Sequence, residues 1–170
     1  MAAEEQNLNR SRYSVIPRVL VFVTRGESVL LLKLLPRNGK VTRWTGRYNG
    51  LGGHIERGED PLTAAHRELR EESGVAASLR LIGILVVDTG EDLGIELHVY
   101  GGEYSSGELV PSGEGVPEWI PFEMLDSIPG VDDLPIFLEK VRSMKPSAPP
   151  FSGRSFYDPD GHLVVNFAAS

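Results

Sequence analysis

The sequence predicts an α/β (α+β) domain, and three observations carry that prediction. Apolar, β-branched runs of strand length recur between turn residues. Two segments, after Asp60 and over Leu134–Met144, have helical patterning instead. The chain has 170 residues and 41% hydrophobic content, which suits one globular domain with a real core. That domain is expected over residues 13–168, behind a polar, acidic and disordered lead-in at 1–12 that does not resemble a secretory signal.

Val15–Thr24 is apolar and β-branched and reads as the first strand. Arg25–Ser28 is a turn and Val29–Leu35 a second strand, so the two are expected to form a hairpin. Pro36–Gly46 is a polar loop long enough to rim a site, and Tyr48–Leu51 is a short strand leading into a glycine-rich stretch. Beyond the first helix, Leu79–Val87 and Ile95–Tyr100 read as a strand pair, with Gly101–Gly115 expected to be loop-rich. Val116–Ile120 returns to strand and Pro121–Leu125 is a short helix. Leu134–Met144 is a longer helix that buries Ile136, Phe137 and Val141. Pro146–Pro150 is a rigid spacer. Phe151–Phe156 and His162–Phe167 make a last hairpin around the turn signal Asp158-Pro-Asp-Gly161.

The helix after Asp60 carries its own boundaries. Asp60 can accept the free N–H groups of the first turn, and Pro61 falls where its missing N–H costs nothing. Gly74 suits the left-handed residue past the end. Leu62, Ala65 and Leu69 are expected to be its buried stripe. At about 100° per residue, Glu68, Glu71 and Glu72 share a face beside that stripe. Like charges at this spacing destabilise a helix by roughly 0.2–0.5 kcal/mol per pair. Arg67 and Arg70 offset part of this; a hard divalent cation offsets it better, since magnesium often joins one or two carboxylates to a substrate's phosphates. A bare acidic run would read as a solvated face. Gly50, Gly52, Gly53 and Gly58 change that reading, because glycines let the backbone turn sharply and approach a ligand.

The spacing Gly53-x5-Glu59-x7-Arg67-Glu68-Leu69-x-Glu71-Glu72-x-Gly74-Val75 resembles the Nudix box with every fixed position filled. The resemblance implies a magnesium-dependent hydrolase of nucleoside diphosphates linked to another moiety, with manganese as a possible substitute. It implies a mixed β-sheet sandwiched between α-helices, with the box as a loop–helix–loop. Glu68, Glu71 and Glu72 are then the metal and base cluster, with Glu68 the leading candidate for general base, and the Gly53 carbonyl is a further metal ligand. Glu59 and Arg67 brace the loop by an ion pair.

Shorter matches point to the MutT-like branch that hydrolyses oxidised purine triphosphates. Arg47-Tyr-Asn49-Gly-Leu-Gly52 is similar to that branch's segment before the box, whose asparagine contacts the base. Glu114, ahead of Trp119, resembles a further metal-binding glutamate, and Asp132-Asp133 resembles paired aspartates that read a purine edge. The aspartates equally suit a cap for the helix at Leu134, and Asn49 suits a turn before Gly50. Phe151–Phe156 resembles a C-terminal aromatic hairpin. One feature departs from the branch: Gly130 and Val131 stand where a tryptophan would stack on the base, so a stacking partner would come from Phe22, Phe137 or Trp44.

Net charge is −7, whereas a polynucleotide binder usually has a basic face. The expected partner is a small nucleotide rather than a nucleic-acid polymer or a membrane, handled by a monomer or homodimer. Lys33, Arg37, Lys40, Arg43 and Arg47 crowd just before the box, and Lys33 and Arg47 are the candidates for phosphate contact. The absence of cysteine excludes disulfides and thiolate metal sites and fits a reducing, cytoplasmic setting. The four histidines and Trp119 read as structural. A purine triphosphatase, a hydrolase of ADP-ribose or a dinucleotide polyphosphate, and a non-catalytic nucleotide sensor are the competing functions. A complete box disfavours the last.

Overall fold

A computed structural model describes residues 12–143 and 145–168. The expected lead-in therefore lies, but for Arg12, outside the described residues, as does Met144. Eight strands form one mixed sheet: β1 Ser14–Arg25, β2 Ser28–Leu34, β3 Tyr48–Asn49, β4 Val75–Val87, β5 Leu93–Gly107, β6 Gly115–Pro121, β7 Phe151–Tyr157 and β8 Leu163–Phe167. Helix α1, Pro61–Ser73, precedes β4; a short 3-10 helix, Phe122–Ser127, and α2, Leu134–Ser143, follow β6. The strand order is β3-β2-β1-β5-β4-β7-β8, with β6 paired to β2. Parallel pairs β1–β5 and β4–β7 join otherwise antiparallel ladders.

Period-two alternation in the central strands builds two cores. Val19, Val21, Val23, Leu30 and Leu32 face Ala64, Ala65 and Leu69 of α1. The residues between them, Leu20, Phe22, Val29 and Leu31, face Leu134, Phe137 and Leu138 of α2. The sheet thus lies between helices, as the box resemblance implies. No helix among the described residues is long and apolar enough to cross a membrane.

Two expectations are corrected. The stripe of α1 comprises Ala64, Ala65, Leu69, Glu72 and Ser73, while Leu62 is 40% exposed. The stripe centres on Ala65, Leu69 and Glu72, at helical i, i+4 and i+7 spacing, so a carboxylate rather than Leu62 occupies its inner line. Second, β5 runs on to Gly107 and β4 starts at Val75, where loop was expected after Tyr100. Gly101 and Gly102 are strand residues because neighbours press on them. A Cβ at Gly102 would collide with Ser78 O, and one at Gly101 would lie 3.2 Å from Ile82 Cγ2. They sit beside a register shift in the β4–β5 ladder, where a strand glycine admits close approach.

The corrected stripe is checked by chemical denaturation. Leu69→Ala should cost about 2–5 kcal/mol as a fully buried truncation, whereas Leu62→Ala should stay within about 0.5 kcal/mol of the parent.

Candidate active site

β1 and β2 pair only near their turn, through Val23–Leu30, Thr24–Val29 and Arg25–Ser28. Beyond it they part, and residues 48–54 fill the gap. Tyr48 and Asn49 pair with Lys33 and Leu32 of β2. Leu51 then exchanges backbone hydrogen bonds with Val21 at 2.7 and 3.1 Å, and Gly53 O accepts from Val19 N at 2.9 Å. Gly52, between them, has φ +144° and lies so close to Val19 O that a Cβ would collide with it. Only glycine passes this point without strain. The Gly53 carbonyl keeps one lone pair for a cation, since Val19 N–H occupies the other.

The box helix starts and stops as its sequence predicts. Asp60 Oδ1 accepts from the N–H groups of Leu62 at 2.9 Å and Thr63 at 3.1 Å. Gly74 closes the helix at φ 73° and donates to Arg70 O at 2.9 Å. Arg67 is the hub of the loop. Its Nε and Nη2 donate to Glu59 at 2.7 and 2.9 Å, Nη2 also to His54 O at 3.0 Å, and Nη1 to Glu68 and Glu71 at 2.9 and 3.2 Å. Glu59 Oε2 in turn accepts from Glu56 N at 3.1 Å. The expected brace between Glu59 and Arg67 is present, and Arg67 also reaches both outer glutamates.

Glu72 is 4% exposed and accepts from Gly52 N at 2.7 Å. Burial pushes its pKa up to about 8; the Gly52 N–H works against the rise, and Glu68, Glu114 and Glu71 add to it. Burial also lifts Glu68, with Arg67 opposing and Glu71 and Glu114 adding. Glu114 therefore reaches the box electrostatically from its loop before β6. A Cβ at Gly53 would strike the Glu68 carboxylate, so that glycine lies flush against it. Oxygen donors of one sign, with Glu72 buried and Glu68 held against a bare backbone, suit a hard divalent cation. The residues that would hold it are Glu68, Glu71, Glu72 and Glu114, with the Gly53 carbonyl.

The box glutamates do not draw together within 4.8 Å as a set of three, for Arg67 lies between Glu68 and Glu71. Among the described residues the acidic group that does is Asp158, Asp160 and His162 in the β7–β8 turn. There Asp158 Oδ1 accepts from Asp160 N at 3.0 Å and His162 N at 2.8 Å, which shapes the turn.

A cavity of about 380 Å³ opens between the sheet and the loops, lined by Arg18, Arg43, Trp44, Asn49, Asp132, Asp133 and Tyr157 with apolar residues beneath. Asn49 is the last residue of β3 and lines the cavity, and its Oδ1 accepts from Gly50 N at 2.8 Å. Asp132 accepts from Tyr157 Oη at 2.9 Å and lies 3.6 Å from Arg47 Nη1. Burial lifts Asp133, with Asp132 adding to the rise. Of the three aromatics considered for stacking, Phe22 and Phe137 are core residues, 0% and 2% exposed and 6.1 Å apart. Trp44 alone of them lines the cavity.

Neither phosphate candidate lines the cavity, though Arg47 lies beside Asp132, which does. Lys33 is exposed, 5.7 Å from the Tyr48 ring. Arg47 donates to Gly130 O at 2.9 Å and so fastens the loop that carries the aspartates. Cavity residues absent from the candidate list are Arg18, Arg43 and Tyr157. Arg43 lies 4.0 Å over the Trp44 ring and donates to Tyr157 Oη at 3.4 Å. Arg18 could have been found as the one charge inside an otherwise apolar strand run.

The chain belongs to the NUDIX domain family, whose model matches residues 15–141. Its fold is similar to that of the crystallised MutT mutator protein from Bacillus halodurans, at 26% identity and TM-score 0.71 over 89% of this chain and 97% of that one. It is 35% identical over 136 residues to the NAD-capped RNA hydrolase NudC of Pseudomonas syringae, covering 79% of this chain and 43% of the relative. It is also 35% identical over 107 residues to the oxidized purine nucleoside triphosphate hydrolase of Danio rerio, covering 57% of this chain and 66% of the relative. The chain thus spans less than half the length of the first relative and about two thirds of the second. The family that the box residues imply is borne out, and the relatives are named as hydrolases.

The lifted Asp133 gives a pH test. Its folded pKa exceeds the unfolded one, so its contribution is fully present below the unfolded value and is lost as pH rises through the folded value. In metal-free thermal melts from roughly pH 4 upward, Asp133→Asn should lose less stability than the parent. Parallel curves would count against a burial-raised carboxyl.

Proposed function

We propose that the protein is a magnesium-dependent pyrophosphohydrolase that cleaves a purine nucleoside triphosphate, ordinary or oxidised, to a nucleoside monophosphate and pyrophosphate. One observation carries the reading: a cavity lined by Trp44, Asn49, Asp132 and Asp133 includes Arg18, which is β-bridged to His54 of a complete carboxylate box. Guanine presents N1–H and an exocyclic amine on one edge, and a carboxylate accepts both. Burial favours the protonated form of Asp133, whose O–H could donate to a neighbouring oxo group. Trp44 supplies the stacking surface. The similarity to the Danio rerio hydrolase supports the same substrate class.

Bound at Glu68, Glu71, Glu72 and Glu114, magnesium (or manganese) would neutralise phosphate oxygens and lower the pKa of a water. Glu68, the leading candidate for general base, would take that water's proton as the new P–O bond forms and the bond to pyrophosphate breaks. Arg67 holds Glu68 in place through Nη1. Buried Glu72 ties the helix to Gly52. A second reading, a dinucleotide or ADP-ribose substrate, is favoured by the NudC similarity over 79% of the chain and by Gly130-Val131 in place of a tryptophan.

The deciding measurement is steady-state hydrolysis with magnesium of 8-oxo-dGTP, dGTP, dATP, 2-oxo-dATP, ADP-ribose and a diadenosine polyphosphate. A preference for a purine triphosphate is expected; a preference for ADP-ribose or the dinucleotide would move the assignment to the second reading. Glu72→Gln should remove turnover of every substrate while the far-ultraviolet dichroism is unchanged. Retained turnover would sink the assignment of the box as the catalytic centre. Trp44→Ala should raise KM for the preferred purine at least about fivefold, the low end of a stacking energy of about 1–3 kcal/mol. Trp44→Phe should recover part of the loss.

A further inference from the structure

Arg18 is a charge in the wall of the base cavity with nothing to answer it. It lies on β1 one residue before Val19, whose N–H holds Gly53, and it forms an isolated β-bridge with His54. It therefore stands between the base cavity and the box. Its Nε is sealed from solvent and has no hydrogen-bond partner among the described residues. Neither Arg18 nor Arg37 forms an ion pair among them. Sealing a guanidinium donor without an acceptor is unfavourable, and the usual resolution is an anionic ligand.

Arg37 reaches the same place from the other side. It opens a tight turn, bridged to Lys40, in which Asn38 and Gly39 have φ of 49° and 74°. Such an Asn-Gly turn is an ordered support. Arg37 lines a second cavity with Glu114, and that cavity meets the base cavity along Leu34 and Trp44. The charge of Arg37 also acts on Arg18. A path thus runs from the base cavity, past two unanswered cations, to the carboxylates.

We propose that Arg18, aided by Arg37, binds the ribose-proximal phosphate of the nucleotide at the joint between the base cavity and the box. The inference rests on the nucleotide reading above and goes beyond it by assigning the phosphate contact to Arg18 and Arg37 instead of Lys33 and Arg47. A planar guanidinium grips a phosphate through paired N–H groups, which a lysine cannot reproduce. Arg18 lines the base cavity and the metal donors do not, so the phosphate nearer the base is the one assigned to it.

The test titrates wild type, Arg18→Met, Arg18→Lys, Arg37→Gln and the remote control Lys145→Gln by calorimetry with magnesium. The probes are dGMP, AMP, inorganic pyrophosphate, deoxyguanosine and adenosine. Wild type should prefer the monophosphates to their nucleosides by at least about tenfold, as expected of a charge-assisted contact. Arg18→Met should reduce that preference to within about threefold, Arg37→Gln less so, and Lys145→Gln not at all. The apo form of Arg18→Met should melt about 2–4 °C higher, because a sealed donor without an acceptor has been removed. Should that variant not fold, Arg18→Lys carries the test, with the preference lowered at least about threefold. An unchanged preference in folded Arg18 variants, or no phosphate preference in wild type, overturns the proposal. Failure of the purine reading looks different: the nucleosides do not bind, yet the monophosphates still bind more weakly without Arg18, which supports the anion site.

Discussion

The contact on which the site depends is the hydrogen bond from Gly52 N–H to the buried carboxylate of Glu72. It joins the loop wedged between β1 and β2 to the helix that packs over them. Gly52 is held from the strand side by the bonds its neighbours Leu51 and Gly53 make to Val21 and Val19. From the helix side it is held by a carboxylate that lies on the apolar stripe itself. Burying a carboxylate is unfavourable, and one N–H does not satisfy both oxygens. The fold tolerates this because Ala64, Ala65 and Leu69 on the same face anchor α1 to the sheet. An acidic group is thereby held on rigid elements, where its oxygens cannot retreat into water. A cation that met it would find little left to reorganise.

Arg67 makes the rest of the acidic face compatible with folding. One guanidinium answers three glutamates and a backbone carbonyl. Planar, forked donors suit this work, where a lysine ammonium would answer one carboxylate at a time. The arrangement also has a consequence for metal binding: Glu68 and Glu71 are drawn to Nη1 rather than to each other. A cation entering the site competes with Arg67 for both, and the loop brace through Glu59 keeps the arginine in place while it does so.

Short-range features were legible in the sequence. The caps of α1, the box spacing, the first hairpin and the last turn depend on residues a few positions apart, and each appears where expected. The misses depend on partners far away in the chain. Nothing local indicates that Ala64 rather than Leu62 faces the sheet; the line through Leu69 and Glu72 decides it. Gly101 and Gly102 read as loop until Ser78 and Ile82 are seen pressing on them. That Arg47 would also reach Gly130 O was not legible locally either. Tyr157 joined the cavity through a β7 position just beyond the hairpin segment that drew attention.

The loop of residues 36–46 couples two functions on the proposed reading. It carries Trp44, the aromatic surface for a base, and Arg37, a cation on the way to the box. Arg43 ties this loop to Tyr157, which binds Asp132. Arg47, just after the loop, is tied to Gly130 and Asp132. On that reading the loop that carries Trp44 and Arg37 is tied to Asp132 by hydrogen bonds through Arg43 and Tyr157. A base that seats badly against Trp44 would shift the same loop that presents Arg37. Discrimination among bases is then felt at the phosphate, which is where a hydrolase must feel it for recognition to change rate and not only affinity.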